Sequence, residues 1–456
     1  MTESFEKELK KIDYDLLISA LRDDQFDLFR QEFMDLHSYE QAKFFSKLEG
    51  DYRSKIYEYL SPEETATLFE NLELEDEQYE EILSEMNPSY AADMLAQMYA
   101  DDAVDVLNEL DKEQVATYLT IMDDEAADEI KELLHYEEYT AGSIMTTEFV
   151  AIAENQTVRS AMHILRSKAP EAEIIYYVYV IDDDKKLTGV ISLRDLIISD
   201  DDTMISEIMN ERVMSVSVSD DQEEVARTMK DYNFLAVPVV DFQKHLLGII
   251  TVDDIIDVMD EEATDDYSKL AGVSDIDRID MNPFVAAKKR LPWLVILLFL
   301  GMLTASLISH FEAALNQKAI LAIFIPLIGG MAGNSGTQAL AIAVRGIATG
   351  DLEQDKWKLV LREACTGFIT GATCCIVIAL VIFLWHGDFV LGCLVGISIL
   401  ATIIVATLAG SLVPLFMHKM NIDPAVASGP FITTISDIIS ILIYFTMATL
   451  FMGYLI

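Results

Sequence analysis

Apolar and polar positions follow three different rhythms along this chain. Between Met86 and Met122 a motif returns every twelve residues, at Met86-Asn-Pro-Ser, Met98-Tyr-Ala-Asp, Leu110-Asp-Lys-Glu and Met122-Asp-Asp-Glu. Each unit offers a capping residue, acidic first-turn groups and apolar positions at helical spacing, as in Asn87 to Leu95 and Asp111 to Leu119, so short helices stacked in a superhelix are expected. Leu60-Ser-Pro-Glu-Glu-Thr-Ala has the same style. From Thr140 to Asp260 the rhythm changes to a tandem repeat of extended segment, amphipathic helix and β-run. Gly-Ser-Ile-Met-Thr-Thr (142–147) is echoed by Ser-Glu-Ile-Met-Asn (206–210). Extended segments follow at Phe149 to Ile152 and Val213 to Val218, helices open near Thr157 and Asp221, and β-runs lie at Ile174 to Ile181 and Ala236 to Val240. The closing motifs are Leu187-Thr-Gly-Val-Ile-Ser-Leu-Arg-Asp195 and Leu246-Leu-Gly-Ile-Ile-Thr-Val-Asp-Asp254.

The third rhythm is unbroken apolarity. Leu291 to Ser309, Ala319 to Val344, Ala364 to Trp385, Phe389 to Met417 and Pro430 to Ile456 are each long enough to cross about 30 Å of hydrocarbon as a helix, which predicts five spans. Lys288, Lys289 and Arg290 precede the first run, Arg345, Lys356, Lys358 and Arg362 join the second to the third, and Lys419 follows the fourth. Basic residues favour cytoplasmic loops, so the N-terminus is expected in the cytosol and the C-terminus outside. Met1 to Lys11 is polar, and no cleavable signal is expected. Cys365, Cys374, Cys375 and Cys393 fall inside apolar runs without metal-type pairing and read as packing residues.

Charge separates the halves. Met1 to Ala287 carries 23 Lys plus Arg against 69 Asp plus Glu, a balance of −46, while the remainder carries 9 against 8. So acidic a first half repels nucleic acid and anionic lipid and attracts cations. Between the repeat and the first apolar run, Ile255, Ile256, Met259, Ala263 and Leu270 mark a helical stripe whose other faces hold Asp253, Asp254, Asp257, Asp260, Glu261, Glu262, Asp265 and Asp266. Two carboxylates 4 Å apart repel by about 4 kcal/mol at an effective dielectric near 20, so ion occupancy should decide how such surfaces pack. Asp101 and Asp105, at i and i+4, stand on one helix face.

Inside the five apolar runs every Asp, Glu, Lys, Arg and His is missing except Asp437, in Pro-Phe-Ile-Thr-Thr-Ile-Ser-Asp. A carboxylate at bilayer depth costs about 2.5 to 3.5 kcal/mol and normally faces a protein interior or a water-filled path. Thr433, Thr434 and Ser436 add oxygens, the ligands a hard cation prefers. The second run carries Pro326 and Gly329-Gly330-Met331-Ala332-Gly333-Asn334-Ser335-Gly336-Thr337-Gln338. Two readings stand: a broken helix whose Asn334, Thr337 and Gln338 line a route, or a small-residue packing seam. No nucleophile-base pattern, P-loop or zinc motif points to an enzyme.

The tandem repeat resembles a pair of cystathionine-β-synthase (CBS) modules. In such modules the closing Ser/Thr-x-x-Asp, here Ser192 with Asp195 and Thr251 with Asp254, often holds an adenosine ribose, which implies ATP or another adenine nucleotide as a ligand. Taken with Pro-Leu-Ile-Gly-Gly-Met-Ala-Gly-Asn-Ser-Gly-Thr-Gln (326–338), Arg345-Gly-Ile-Ala-Thr-Gly-Asp351 and Asp423-Pro-Ala-Val followed by Thr-Thr-Ile-Ser-Asp437, the whole order resembles the MgtE-type magnesium channel family. The resemblance implies a multidomain homodimer in the cell membrane. Each subunit would have an all-α superhelical N-domain (1–138), an α+β CBS pair (139–203 and 204–260), a connecting plug helix and linker (253–287) and a five-helix α transmembrane domain (288–456). It implies Mg²⁺ as cargo and as regulator. Asp437 then matches a pore aspartate, with Asn334 near the same path, and Asp101, Asp105, Asp221, Asp254, Asp257, Asp265, Asp266 and Asp423 match ion-sensing positions. Asn233 stands where an acidic ligand is expected. Lipid and magnesium are the implied partners, beside the second subunit. An ion-coupled divalent cation carrier and a nucleotide-sensing membrane receptor without transport are the alternatives.

Overall fold

The computed structural model describes residues 14–72, 76–273, 283–350, 356–420 and 422–455. The charged opening Met1–Lys11, the linker stretch 274–282 and Asp351 lie outside the described residues. The chain forms two units, Met1–Met259 and Asp260–Ile456.

In the first unit short helices follow one another because each apolar stripe is punctuated by a cap. They are α1 (Tyr14–Arg22), α2 (Phe26–Met34), α3 (Ser38–Phe45), α4 (Gly50–Tyr59), α5 (Pro62–Phe69), α6 (Asp76–Ser84), α7 (Pro88–Leu95), α8 (Ala100–Asn108), α9 (Lys112–Ile121) and α10 (Asp124–Leu133). Ser61 with Glu64 and Asp111 with Gln114 close capping boxes on α5 and α9, and Asn87 and Asp123 cap α7 and α10. Such caps stabilise by about 1 kcal/mol each. One expected cap is absent: the Tyr99 side chain makes no capping bond, and the Ala100 N–H donates instead to Glu148 Oε1 at 3.2 Å. The stack closes over Phe29, Phe33, Phe45, Leu83, Met94 and Leu95, all buried.

Two α+β modules follow. The first runs β1 (Ala151–Ala153), α11 (Val158–Lys168), β2 (Tyr177–Ile181), β3 (Leu187–Ser192), α12 (Leu193–Ile198) and α13 (Ile205–Ile208). The second runs β4 (Val216–Ser217), α14 (Gln222–Tyr232), β5 (Ala236–Val240) and β6 (Leu246–Thr251). Each sheet pairs its first strand parallel and its last antiparallel to the middle one, with a register shift at Val180/Ile181 and again at Val239/Val240. Thr157 and Asp221 cap α11 and α14, at the helix starts the repeat predicts. The Leu187 N–H donates to Lys244 O at 2.9 Å, and Tyr179, Ala236 and Ile249 form the apolar seam between the sheets.

The boundary between the units falls inside α15 (Val252–Ala271). Its stripe is turned from the expected register: Ile255 and Val258 are buried, while Ile256 and Met259 are exposed. The helix leaves directly from the end of β6, and its inward face is the one carrying Ile255 and Val258.

Beyond it come α16 (Pro283–His310), α17 (Glu312–Gln317), α18 (Leu321–Ala348), α19 (Lys356–His386), α20 (Phe389–Lys419) and α21 (Gly429–Leu455). Among the described residues four helices, α16, α19, α20 and α21, are long and apolar enough to cross a membrane. The expected second span, α18, has the length, but its Gly, Ser, Asn, Thr and Gln residues dilute its hydropathy. Nor is α18 broken, as one reading of its glycines held; it continues through Pro326 and all four glycines from 329 to 336. Tight packing offsets the poor helix propensity of glycine.

Candidate ion path and ion-sensing surfaces

The glycines of α18 are where α21 comes closest. A Cβ at Gly329 would lie 2.9 Å from Asp437 Oδ1, one at Gly333 2.8 Å from Thr433 Cγ2, and one at Gly336 2.9 Å from Ser436 Oγ. Steps of four and then three residues, both of which return to one helix face, thus lay a bare backbone strip against the polar face of α21. Thr433 and Thr434 spend their hydroxyl protons on the Gly429 and Pro430 carbonyls, both at 2.9 Å, and Ser440 Oγ donates to the Asp437 carbonyl at 2.8 Å. Asp437 is half-buried, and no donor among the described residues reaches its carboxylate. Buried Ser436 Oγ has no partner there either. Asn334 does not join this seam; it is exposed on the adjoining face with Gly330 and Gln338, at spacings of four.

A second carboxylate escaped the reading of the sequence. The third apolar run begins at Ala364, whereas α19 starts at Lys356, so Glu363 lies two turns inside the helix with 3 % of its surface exposed. Its neighbour Arg362 reaches it at 3.3 Å. A wider window on the sequence would have found it.

In the first unit several carboxylates converge. Asp101 is buried, and desolvation, then Asp102, Asp254, Glu173 and Glu148, push its pKa well up; Oδ1 has no hydrogen-bond partner. Burial, then Glu70 and Asp254, push Asp102 to about 8, and burial followed by Asp254 pushes Glu173 to about 7. Asp254 is raised by burial, although Thr251 Oγ1 donates to its Oδ2 at 2.5 Å. Asp101 and Asp105 differ in burial: α8 buries Ala100, Asp101, Val104 and Leu107, whereas Asp105 is exposed and adds its charge to that acting on Asp102. Asp102, Glu148, Glu173 and Glu70 were missed; only Asp102, beside Asp101, carried any sequence signal. Among the described residues no three ligating side chains form a ready metal cage. The cluster suits a hydrated divalent ion held by outer oxygens, and the orphaned buried Asp101 oxygen fits that demand.

Asp221 caps α14, accepting from the Glu223 N–H at 2.9 Å, and is exposed, as is Asp257. Asn233 holds the left-handed C-cap of α14 (φ 55°, ψ 44°), a backbone role that favours Asn over most residues. In the second unit Asp265, Asp266 and Asp423 gather around Lys269. Lys269 Nζ meets Asp423 Oδ2 at 2.6 Å and also pairs with Asp265. Burial, then Asp423, push Asp266 to about 6.

The two predicted nucleotide pairs part company. Ser192 lines a cavity of about 570 Å³ with Tyr176, Tyr177, Leu193, Arg194, Ile197, Ile198 and Leu235. Its Oγ donates to Asp195 Oδ2 at 2.6 Å. Thr251 is buried and Asp254 turns to the acidic cluster, not to this cavity.

Residues 325–447 match the MgtE divalent cation transporter domain, 36–139 the MgtE intracellular N domain, and 141–200 and 205–261 the CBS domain. The chain is 56 % identical over 442 residues to a magnesium transporter MgtE of Enterococcus faecalis, covering 97 % of each. This chain belongs to the MgtE family. A second MgtE, from Bacillus subtilis, is 39 % identical over 436 residues, 95 % of this chain and 96 % of the relative. Among solved structures, the soluble part of a magnesium transporter is 59 % identical, with TM-score 0.53, covering 55 % of this chain and 98 % of that one. The cytosolic domain of the Mg²⁺ channel MgtE in complex with ATP is 37 % identical, with TM-score 0.51, covering 54 % and 99 %.

Proposed function

We propose that this MgtE chain passes magnesium through the cell membrane and is closed by the same ion on its cytosolic side. The observation that carries the reading is the Asp437 carboxylate, half-buried on the α18–α21 seam with no donor among the described residues. Magnesium surrenders its octahedral water shell reluctantly, so an acidic side chain with hydroxyl and backbone oxygens beside it can hold the hydrated ion. In a homodimer two Asp437 carboxylates would balance one divalent charge. Asn334, on the exposed face of α18, would line the same route. A homodimer is supported by the apolar side chains that the CBS pair leaves exposed, among them Ile198, Leu235 and Phe242. On this reading α18 is the fifth span, sheltered from lipid by its neighbours, and the C-terminus lies outside the cell, with lipid around α16 and α19.

Closure is read as linkage. Magnesium between the carboxylates of Asp101 and Asp254, and between those of Asp266 and Asp423, favours the compact state, with α15 as the plug. Asp105, Asp221, Asp257 and Asp265 would add long-range attraction from the surface. The cavity beside Ser192 and Arg194 suits ATP or another adenine nucleotide as a second effector. It has tyrosines for the base and Arg194 for the phosphates, and the relative whose cytosolic domain was solved with ATP supports this.

Magnesium flux into liposomes, beside growth rescue of a transport-deficient bacterium, tests the reading. Asp437→Asn should retain the helical circular dichroism and lose at least about tenfold in flux, as expected when an acidic selectivity group is neutralised. Wild-type flux in that variant would reject the assignment. An ion-coupled carrier would show flux that follows a sodium or proton gradient, and a receptor would show none.

A further inference from the structure

The end of α15 is seated on the second unit by two kinds of contact. Leu270 packs with Ala425, Ala427 and Ile432, and a Cβ at Gly272, itself left-handed (φ 74°), would fall 2.5 Å from the Trp293 indole nitrogen. Those contacts are apolar or steric and indifferent to ions. The electrostatic part is different. Asp265, Asp266 and Asp423 bring three carboxylates together, and the chain itself supplies an ammonium among them. Asp423 is preset for it: Oδ1 accepts the Ala425 N–H at 2.8 Å, which leaves Oδ2 to receive Lys269 Nζ at 2.6 Å. Lys269 is one-third exposed, and its bonds to Asp265 and Asp423 outweigh burial and keep it charged.

We propose that Lys269 is a built-in counter-cation that holds the last turn of α15 on the Asp423 loop when divalent metal is absent. The inference rests on the reading of α15 as a plug. A hydrated magnesium ion and the Lys269 ammonium compete for the same Asp423 oxygen, so the lysine sets how far the plug is already closed before the metal arrives. Without it three like charges face one another across the docking site, and only the apolar contacts oppose their separation. Being singly charged and part-exposed, the ammonium supplies a modest tether, of a size that magnesium can displace and replace with a stronger one.

The test uses the full chain in liposomes with chelator on the cytosolic side, and reads magnesium flux and amide hydrogen exchange of residues 262–272. Lys269→Gln should raise metal-free flux about threefold, the order expected of one part-exposed ion pair, and speed exchange in that segment. Lys269→Arg should behave as wild type. The double reversal Lys269→Glu with Asp423→Lys restores the attraction while removing the carboxylate at 423, so it should regain the protection that either single reversal loses. The inference is overturned if Lys269→Gln leaves both readouts unchanged, or if the double reversal stays as unprotected as the single ones, which would make Asp423 a metal ligand alone. Exchange is read without transport, so failure here is separable from failure of the pore assignment, which Asp437→Asn decides.

Discussion

Asn233 and Asp101 show how one residue's role depends on backbone and burial rather than on type. A left-handed position costs an ordinary L-residue about 1 to 2 kcal/mol, which Asn tolerates and Gly avoids. Asn233→Ala should therefore lower the midpoint of chemical unfolding by about 1 kcal/mol, with Asn233→Gly at or above wild type. The sequence offered Asn233 only as a missing acid, because φ is invisible until α14 has an end. Asp101 was legible as a candidate, but its partners were not. Asp254 and Glu173 lie far along the chain, and only folding brings them to α8. Asp101→Asn removes a buried carboxyl that is costly to ionise without a cation beside it. It should make the metal-free cytosolic half more resistant to protease and blunt the further protection given by millimolar magnesium. An unchanged magnesium response would remove Asp101 from the sensor.

At the scale of elements, α18 and α21 touch through glycine. Gly336→Val should destabilise by about 1 to 3 kcal/mol, because its first carbon already meets Ser436 Oγ at 2.9 Å and Ile432 Cγ2 at 3.0 Å, and flux should fall with the seam. Gly301→Ala in α16 meets nothing within 4 Å and should melt at or above the wild-type temperature in detergent. The same logic holds between α19 and α20, where Gly371 meets Leu400 and Gly396 meets Cys375. The presence and order of the long helices were legible here, since apolar runs are local properties, but the polar first turns of α19 were not. The continuity of α18 was not. Propensity argues for a break, and the packing that overrides it involves a partner helix about a hundred residues away.

For the molecule as a whole, acidity is a stored strain. Asp102 at about 8 and Glu173 at about 7 sit above their unfolded values near 4, so the folded state holds protons that the unfolded state has lost. Stability that is complete below pH 4 therefore falls as pH rises towards 8. The metal-free protein should melt at least about 3 °C higher at pH 6 than at pH 8, the shift that 1 kcal/mol produces in a domain of this size. Millimolar magnesium should shrink the difference, since the ion replaces the protons. A difference that magnesium leaves intact would mean that these carboxylates bind no metal.

The sequence by itself determined the order of parts: stacked helices, a repeated α+β module, an acidic rod, long apolar helices and a solitary acid among the last of them. Those follow from local periodicity and charge, which act within a few turns of the chain. Tertiary structure decided which acids meet, which face of α15 turns inward, that Glu363 is buried and that Lys269 meets Asp423. Electrostatic and packing energies depend on distance through space, and between residues 269 and 423 the chain offers no local pattern that encodes it.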